Sequence, residues 1–449
     1  MTNPGLTSLP RPQQNPPVVA AAPAQQPATQ RVLPPGNTPQ LPSFLPLLQG
    51  PAGAVGTEPS DTVRVPPPAT TDTVRIALLL PLTGNNASIG NALLNAAQLA
   101  LFDFADSRFE LLPHDTKGTP SGAANAASLA IGDGASVILG PLLSQNVSAV
   151  APAARAANVP VLAFSNDRSI AGNGIYTLGF LPSEQVARVV RFSLSKGVTR
   201  FAALAPDNAY GARVVEAMRR TAEAQGATVT RARYYDPTAG DFTDVVREFG
   251  DYDVRRDALL QQRKVLEAQD DEISKRALQR LENLQTIGDL PFEALLVADG
   301  GKRLLSVAAL LPFYDIDPGK VRMLGTGQWD EPGIGKEPAL IGGWYAAPPP
   351  SARVDFDQLY ADTYGERPPR LVTMAYDATA LVSVLARQES GADFSPTALT
   401  NPNGFWGRDG VFRLTPSGTA ERGLAVMQVG RDENKVISKA PESFDVLTN

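Results

Sequence analysis

Cysteine is absent from this 449-residue chain, and histidine occurs once, as His114. Without a thiol there is no disulfide framework, thiolate nucleophile or cysteine-ligated zinc. A single imidazole excludes a histidine-pair metal site and leaves His114 as the sole candidate for a histidine-dependent triad. His114 follows Pro113 and has no obvious partner, so it reads as a surface loop residue. The patterns G-x-S-x-G, H-E-x-x-H and G-x-x-x-x-G-K-[ST] do not occur, which removes the usual signatures of esterases, zinc proteases and P-loop nucleotide binding. No pair of carboxylates has a spacing suited to acid–base catalysis. The expectation is a protein that is not an enzyme and carries no cofactor and no metal. No run of 18 apolar residues is present, so no segment reads as a membrane-spanning helix. The formal net charge is −6, which argues against a general electrostatic grip on nucleic acid.

Charge is scarce in the first 72 residues. They hold 17 of the 40 prolines and only six charged residues. Stretches such as RVLPPGNTPQLPSFLPLLQGP cannot form helices, because proline lacks the N–H and clashes with the preceding turn. Residues 1–72 therefore read as a disordered, partly polyproline-II tether, with a reach of roughly 200 Å at ~3.1 Å per residue. The opening MTNPGLTSLPRPQQNPP has neither the basic start nor the apolar run of a secretion signal.

From Thr73 the pattern changes. TVRIALLLPLTG is a continuous apolar run ending in a turn, as expected of a strand buried on both faces. NALLNAAQLALFDFA follows with helical periodicity. Strand and helix patterns then alternate through VPVLAFSND and restart at RFAALAPD, with FEALLVADG, VRMLGTGQWD and GGWYAAPPP as later strands. This rhythm indicates βαβ units and parallel sheets. Two such runs imply an α/β fold of two lobes. Lobe one is expected at about 73–181 and 346–390, lobe two at about 182–345, and closing strands at 391–440. Residues 254–286 interrupt lobe two. They have many good helix formers and one narrow apolar stripe through Ile273, Ala277, Leu281 and Leu284, and read as an inserted helical hairpin or long helix. It is either a solvated face or a protein-docking surface.

In open α/β sheets ligands bind beyond the carboxyl ends of the strands. The loops at those ends are small and polar, suiting a carboxylate or other anion near helix N-termini. Ser144 reads as a helix N-cap, either capping alone or also touching a ligand. Ser165 and Asn166 follow the next strand, where local turn bonding competes with ligand contact. Tyr210 begins a helix in PDNAYGARVVEAM, where a turn needs only Asp, Asn and Gly. It is either a packing staple or a cleft residue. Gln328 and Trp329 end a later strand, with Trp329 either core or cleft wall. Asp299 precedes two glycines and reads as a cap.

With these residues in place, 74–430 resembles a type I periplasmic binding protein of the branched-chain amino-acid-binding group. RIALLLPLTGNNASIGNALLNAAQLAL is similar to that group's first strand, Thr-Gly turn and helix. HDTKGTP, VILGPLLSQ and the Tyr-Gly junction of PDNAYGARVVEAM are similar to its later segments. The resemblance implies a small ligand resembling an amino acid in the cleft. Ser144 would hold a carboxylate, Ser165 and Asn166 would add backbone and hydroxyl contacts, and Tyr210 would contact from lobe two. Gln328 stands near the position where the resemblance implies an acid, with Asp330 two residues later. AFSNDRSIAG, the insertion and DLPFEALLVADGGKRLLSVAALLPFYDIDP also resemble the penicillin-binding-protein activator lipoproteins of Gram-negative bacteria. That resemblance implies a periplasmic regulator of a peptidoglycan synthase, tethered to the outer membrane. The signal and lipid-bearing cysteine would then belong to the precursor. The alternative is the substrate-binding protein of an ABC importer for branched-chain or other amino acids.

Overall fold

β1 (Val74–Leu80) is an interior strand of the first lobe's sheet, and its residues divide between two cores. Ile76, Leu78 and Leu80 join one apolar cluster, while Ala77 and Leu79 join another on the opposite face. A strand buried on both sides has no polar face, which explains the unbroken apolar run. The computed structural model describes residues 73–269, 271–388 and 391–444, so the expected tether at 1–72 lies outside the described residues.

The first lobe continues with α1 (Ala87–Phe104), β2 (Phe109–Asp115), α2 (Pro120–Gly132), β3 (Val137–Leu139), α3 (Ser144–Ala156), β4 (Val161–Ala163) and β5 (Ile175–Thr177). These strands form an all-parallel sheet in the order β2-β1-β3-β4-β5. His114 and Pro113 lie inside β2, paired with Leu79 and Leu78, and not in a surface loop. β2 is an edge strand, where a proline costs no ladder bond.

The chain then crosses into α4 (Pro182–Ser195), β6 (Arg200–Pro206), α5 (Ala209–Glu223), β7 (Thr228–Tyr235), α6 (Thr243–Phe249), α7 (Tyr252–Glu267), α8 (Glu272–Leu281), β8 (Ala294–Val297), α9 (Gly301–Phe313), β9 (Arg322–Gly325) and β10 (Trp344–Ala347). It returns to lobe one with α10 (Val354–Tyr364), α11 (Thr373–Ala386), α12 (Pro396–Leu399) and a small antiparallel sheet. That sheet comprises β11 (Phe405–Gly407), β12 (Gly410–Leu414) and β13 (Ala420–Arg422). The last crossing leads to β14 (Ala425–Gln428) and β15 (Lys435–Ser438). The lobe-two sheet runs β15-β14-β10-β9-β8-β6-β7, parallel except at β14 and β15. Its two faces carry separate cores, with Ala202 and Leu204 on one and Phe201, Ala203 and Ala205 on the other. Two mainly parallel α/β lobes joined by three crossings make up the fold.

The 254–286 segment is a pair of helices, α7 and α8, inserted between α6 and β8. Asp271 caps α8, its carboxylate accepting the Ile273 and Ser274 N–H groups at 2.9 Å each. Arg255 holds the base of the pair through Thr286 at 2.6 Å and Asp315 at 2.7 Å. Leu259 is buried, but Val254 and Ile273 are 72% and 82% exposed.

Candidate functional site

The carboxyl ends of β3 and β4 converge on one cavity of about 390 Å³. Leu142, Leu143, Ser144, Phe164, Ser165 and Asn166 line it on one side, with Phe180 and Met374 among those opposite. Ser144 is the first residue of α3. The N-cap is Leu143, whose side chain cannot accept a hydrogen bond. This corrects the reading of Ser144 as a cap and leaves its hydroxyl without an internal partner among the described residues. The first turn of α3 also lacks a side-chain acceptor, so its N–H groups suit an anion.

Ser165 is buried, and its hydroxyl accepts the Asp167 N–H at 3.2 Å. Its carbonyl accepts the Gly179 N–H at 3.0 Å. Gly179 must be glycine for this approach, since a Cβ there would stand 2.5 Å from the Asn166 nitrogen. Asn166 is exposed, with an amide uncommitted among the described residues.

Tyr210 and Gln328 do not line this cavity. They lie at the carboxyl edge of the lobe-two sheet. Asn208 caps α5, accepting the N–H groups of Tyr210 and Gly211 at 3.0 Å each. Gly211 lets the helix start close over β6, because a Cβ there would strike the Pro206 carbonyl. The Tyr210 hydroxyl meets Thr326 Oγ1 at 2.9 Å, and the ring packs partly against the lobe-two core. Burial pushes its phenol up to about 12, partly offset by the Thr326 bond. Gln328 is exposed in the short turn Gly327–Trp329, whose Gly327 N–H donates to Gln185 Oε1 at 2.9 Å. Trp329 is fully buried and belongs to the core. Asp299 does more than cap: it accepts Gly300 N–H and Tyr235 hydroxyl at 2.8 Å each, and Arg303 at 2.8 and 3.0 Å. The carboxylate holds the Arg303 guanidinium above its usual value.

Two ion pairs run from residues adjoining the cavity to lobe two. Asp167, next to Asn166, faces Arg213 of α5 at 3.7 Å. Arg370, next to Leu371, faces Asp330 at 3.8 Å and lies 5.1 Å from the Phe180 ring centroid. Arg370 also bonds the buried Asp409.

A second polar cluster escaped the sequence reading. The side chains of Asp377 and Arg422, 1% and 5% exposed, stand 3.9 Å apart where α11 meets the small sheet. The available signal was a carboxylate as the only charged residue of TMAYDATALVSVLA, a helix otherwise made of apolar and hydroxyl-bearing residues. Among the described residues, no group of three or more His, Cys, Asp or Glu is placed to hold a metal ion, and no helix is long and apolar enough to cross a membrane.

The family model for periplasmic binding proteins matches residues 73–434, the whole of this two-lobed α/β domain apart from its last residues. The chain belongs to the periplasmic binding protein family, which implies an extracytoplasmic location. Among solved structures it is similar to a leucine-binding protein from Thermotoga maritima MSB8, at 18% identity and a TM-score of 0.53, covering 82% of this chain and 99% of that one. It is similar to a branched-chain amino-acid transporter substrate-binding protein from Streptococcus pneumoniae in complex with isoleucine (15%, TM-score 0.53, covering 82% and 99%). A third is an ABC-transporter solute-binding protein from Rhodopseudomonas palustris BisB5 in complex with 3,4-dihydroxybenzoic acid (17%, TM-score 0.56, covering 83% and 99%). At these identities the likeness is one of fold. A curated but uncharacterized protein of Rickettsia prowazekii is 22% identical over 174 residues, which are 39% of this chain. The match spans 46% of that relative's length.

Proposed function

We propose that this domain is a non-enzymatic receptor for a small organic carboxylate, of the kind that serves an ABC importer. The observation that carries this reading is the uncommitted Ser144 hydroxyl at the first turn of α3, opening on an apolar cavity with Asn166 at its rim. A carboxylate there would meet the serine and the positive end of the helix, with an apolar body against Leu142, Phe164 and Phe180. Helix-terminal charge interactions contribute about 0.3–1 kcal/mol each at exposed sites and more when partly buried. The relatives with bound isoleucine and dihydroxybenzoate support a small carboxylate, aliphatic or aromatic. Isothermal titration with branched-chain amino acids and benzoates tests it. Binding of at least one carboxylate, weakened about tenfold by Ser144→Ala, is expected, ~1.4 kcal/mol. Failure of the whole panel, or indifference to Ser144→Ala, would overturn it.

A second reading is regulation of a peptidoglycan synthase by contact, on a lipid-anchored precursor. The exposed apolar residues Val254 and Ile273 on the inserted helix pair favour it. Replacing 260–283 by a short linker would then abolish co-purification with a penicillin-binding protein while leaving carboxylate binding intact. Unchanged co-purification would remove Ile273 and the outer part of the helix pair as the docking surface.

A further inference from the structure

A cavity of about 700 Å³ lies away from Ser144, where α11 and the β11–β12 turn meet the chain that follows β15. This volume falls within the usual range for small-molecule sites. Trp406 stands on β11, an edge strand paired only with β12, and is 67% exposed. Tyr376 of α11 lines the same cavity, with the Arg408 guanidinium 4.4 Å from its ring centroid. Gly407 follows Trp406 and lines the same cavity. A Cβ at that position would stand 2.5 Å from Asp377 Oδ2, so the carboxylate packs directly against the bare Gly407 backbone.

Asp377 is 2% exposed and also lines the cavity. Its Oδ1 accepts the Arg408 N–H at 2.7 Å, but its Oδ2 has no hydrogen-bond partner. Arg422 at 3.9 Å is beyond hydrogen-bonding reach. A buried carboxylate oxygen without a donor is costly, and a ligand donor is one way to satisfy it. The remaining charges have a sign. Arg408 is engaged by Tyr376 and Asp103. Asp355 and Glu442 have no ion-pair partner among the described residues, against one such cation, Lys439. The uncommitted charge around the cavity is therefore negative, and an indole face adds attraction for a cation.

We propose that this cavity is a second ligand site, for a small organic cation. The ligand carries one ammonium group on an aromatic or alkyl body. The ammonium is held on the acidic side by Asp377 and Asp355, and the body covers Trp406. No residue of the Ser144 cavity takes part.

Trp406 is the most exposed of the chain's three tryptophans, so indole fluorescence reports on the site. The full chain is titrated with 2-phenylethylamine and benzyltrimethylammonium, and with 2-phenylethanol as the neutral control. Saturable binding of at least one cation is expected, about tenfold tighter than the alcohol. Isothermal titration of Trp406→Ala should show a loss of about tenfold, and Asp355→Asn a loss of about threefold, with Ser144→Ala unchanged. Both changed side chains are exposed, so both variants retain the fold. No saturable binding of either cation, equal binding of the alcohol, or full retention in Trp406→Ala overturns the proposal. Because carboxylates probe the other cavity, these outcomes are separate from any failure there.

Discussion

Arg213 on α5 of lobe two reaches the Asp167 carboxylate on the lobe-one loop after β4, at 3.7 Å. Asp167 adjoins a cavity residue, and α5 also carries Tyr210, so this pair ties the rim of the candidate site to the opposite lobe. Both partners are partly exposed, which limits the pair to about 0.2–1 kcal/mol and makes it sensitive to salt. Arg213→Gln should loosen the lobes without unfolding either. In small-angle scattering at low salt, the variant is expected to show a larger radius of gyration than the parent, with the difference vanishing at high salt. Identical values at all salt concentrations would remove the pair from any role in closure.

Tyr210 has two attachments, a hydroxyl bond to Thr326 and partial packing against the lobe-two core. Tyr210→Phe keeps the packing and should cost about 1 kcal/mol, the net worth of one hydrogen bond. Tyr210→Ala removes both and should approach ~3 kcal/mol, toward the lower end for truncated aromatics. Denaturant melts of the two variants separate the contributions. A loss below ~1 kcal/mol for the alanine variant would show that the ring is not a staple.

Gly179 holds the pocket loop by close approach to Ser165 and Asn166. Gly179→Ala forces backbone apart, at a cost of about 1–3 kcal/mol. The loop carrying Ser165 and Asn166 would shift with it. The expected result is a folded protein with a lowered melting temperature and weakened carboxylate binding. Unaltered melting would show that the two segments separate freely.

Burial pushes the Asp377 carboxyl up to about 7, against the pull of Arg422 and with the push of Asp409. A carboxyl with a folded pKa above its unfolded one binds more protons when folded. Its contribution is thus fully present at low pH and is lost as pH rises from the ordinary carboxyl range toward about 7. Asn cannot ionise, so in Asp377→Asn this loss is absent. Between pH 4 and 8 the stability difference should move in favour of the variant, by up to ~1.4 kcal/mol for each pH unit separating the folded and unfolded pKa. Parallel stability curves for variant and parent would contradict the assignment.

The alternating strand and helix patterns made the two lobes legible, because strands buried on both faces leave unbroken apolar runs such as VRIALLL. Pro113 misled at β2, since the sequence does not say that this strand lies at an edge where a missing N–H is harmless. Ser144 misled in the other direction. Serine before an amphipathic run suggests a cap, yet the helix begins one residue earlier than that pattern implies, with Leu143 outside it. The grouping of Ser144, Ser165 and Asn166 followed from their places at successive strand ends. The engagement of Tyr210 with Thr326 spans 116 residues, and the pairing of Asp377 with Arg422 joins α11 to the small sheet. No local pattern encodes either meeting.

The inserted helix pair leaves and rejoins lobe two at nearly one point, where the Ile287 N–H donates to the Arg255 carbonyl at 3.2 Å. A guest whose own ends lie side by side therefore fits there without parting β6 from β7 or β8. That makes the segment a port for a fluorescent module, through which ligand capture in the cleft could be turned into an optical signal.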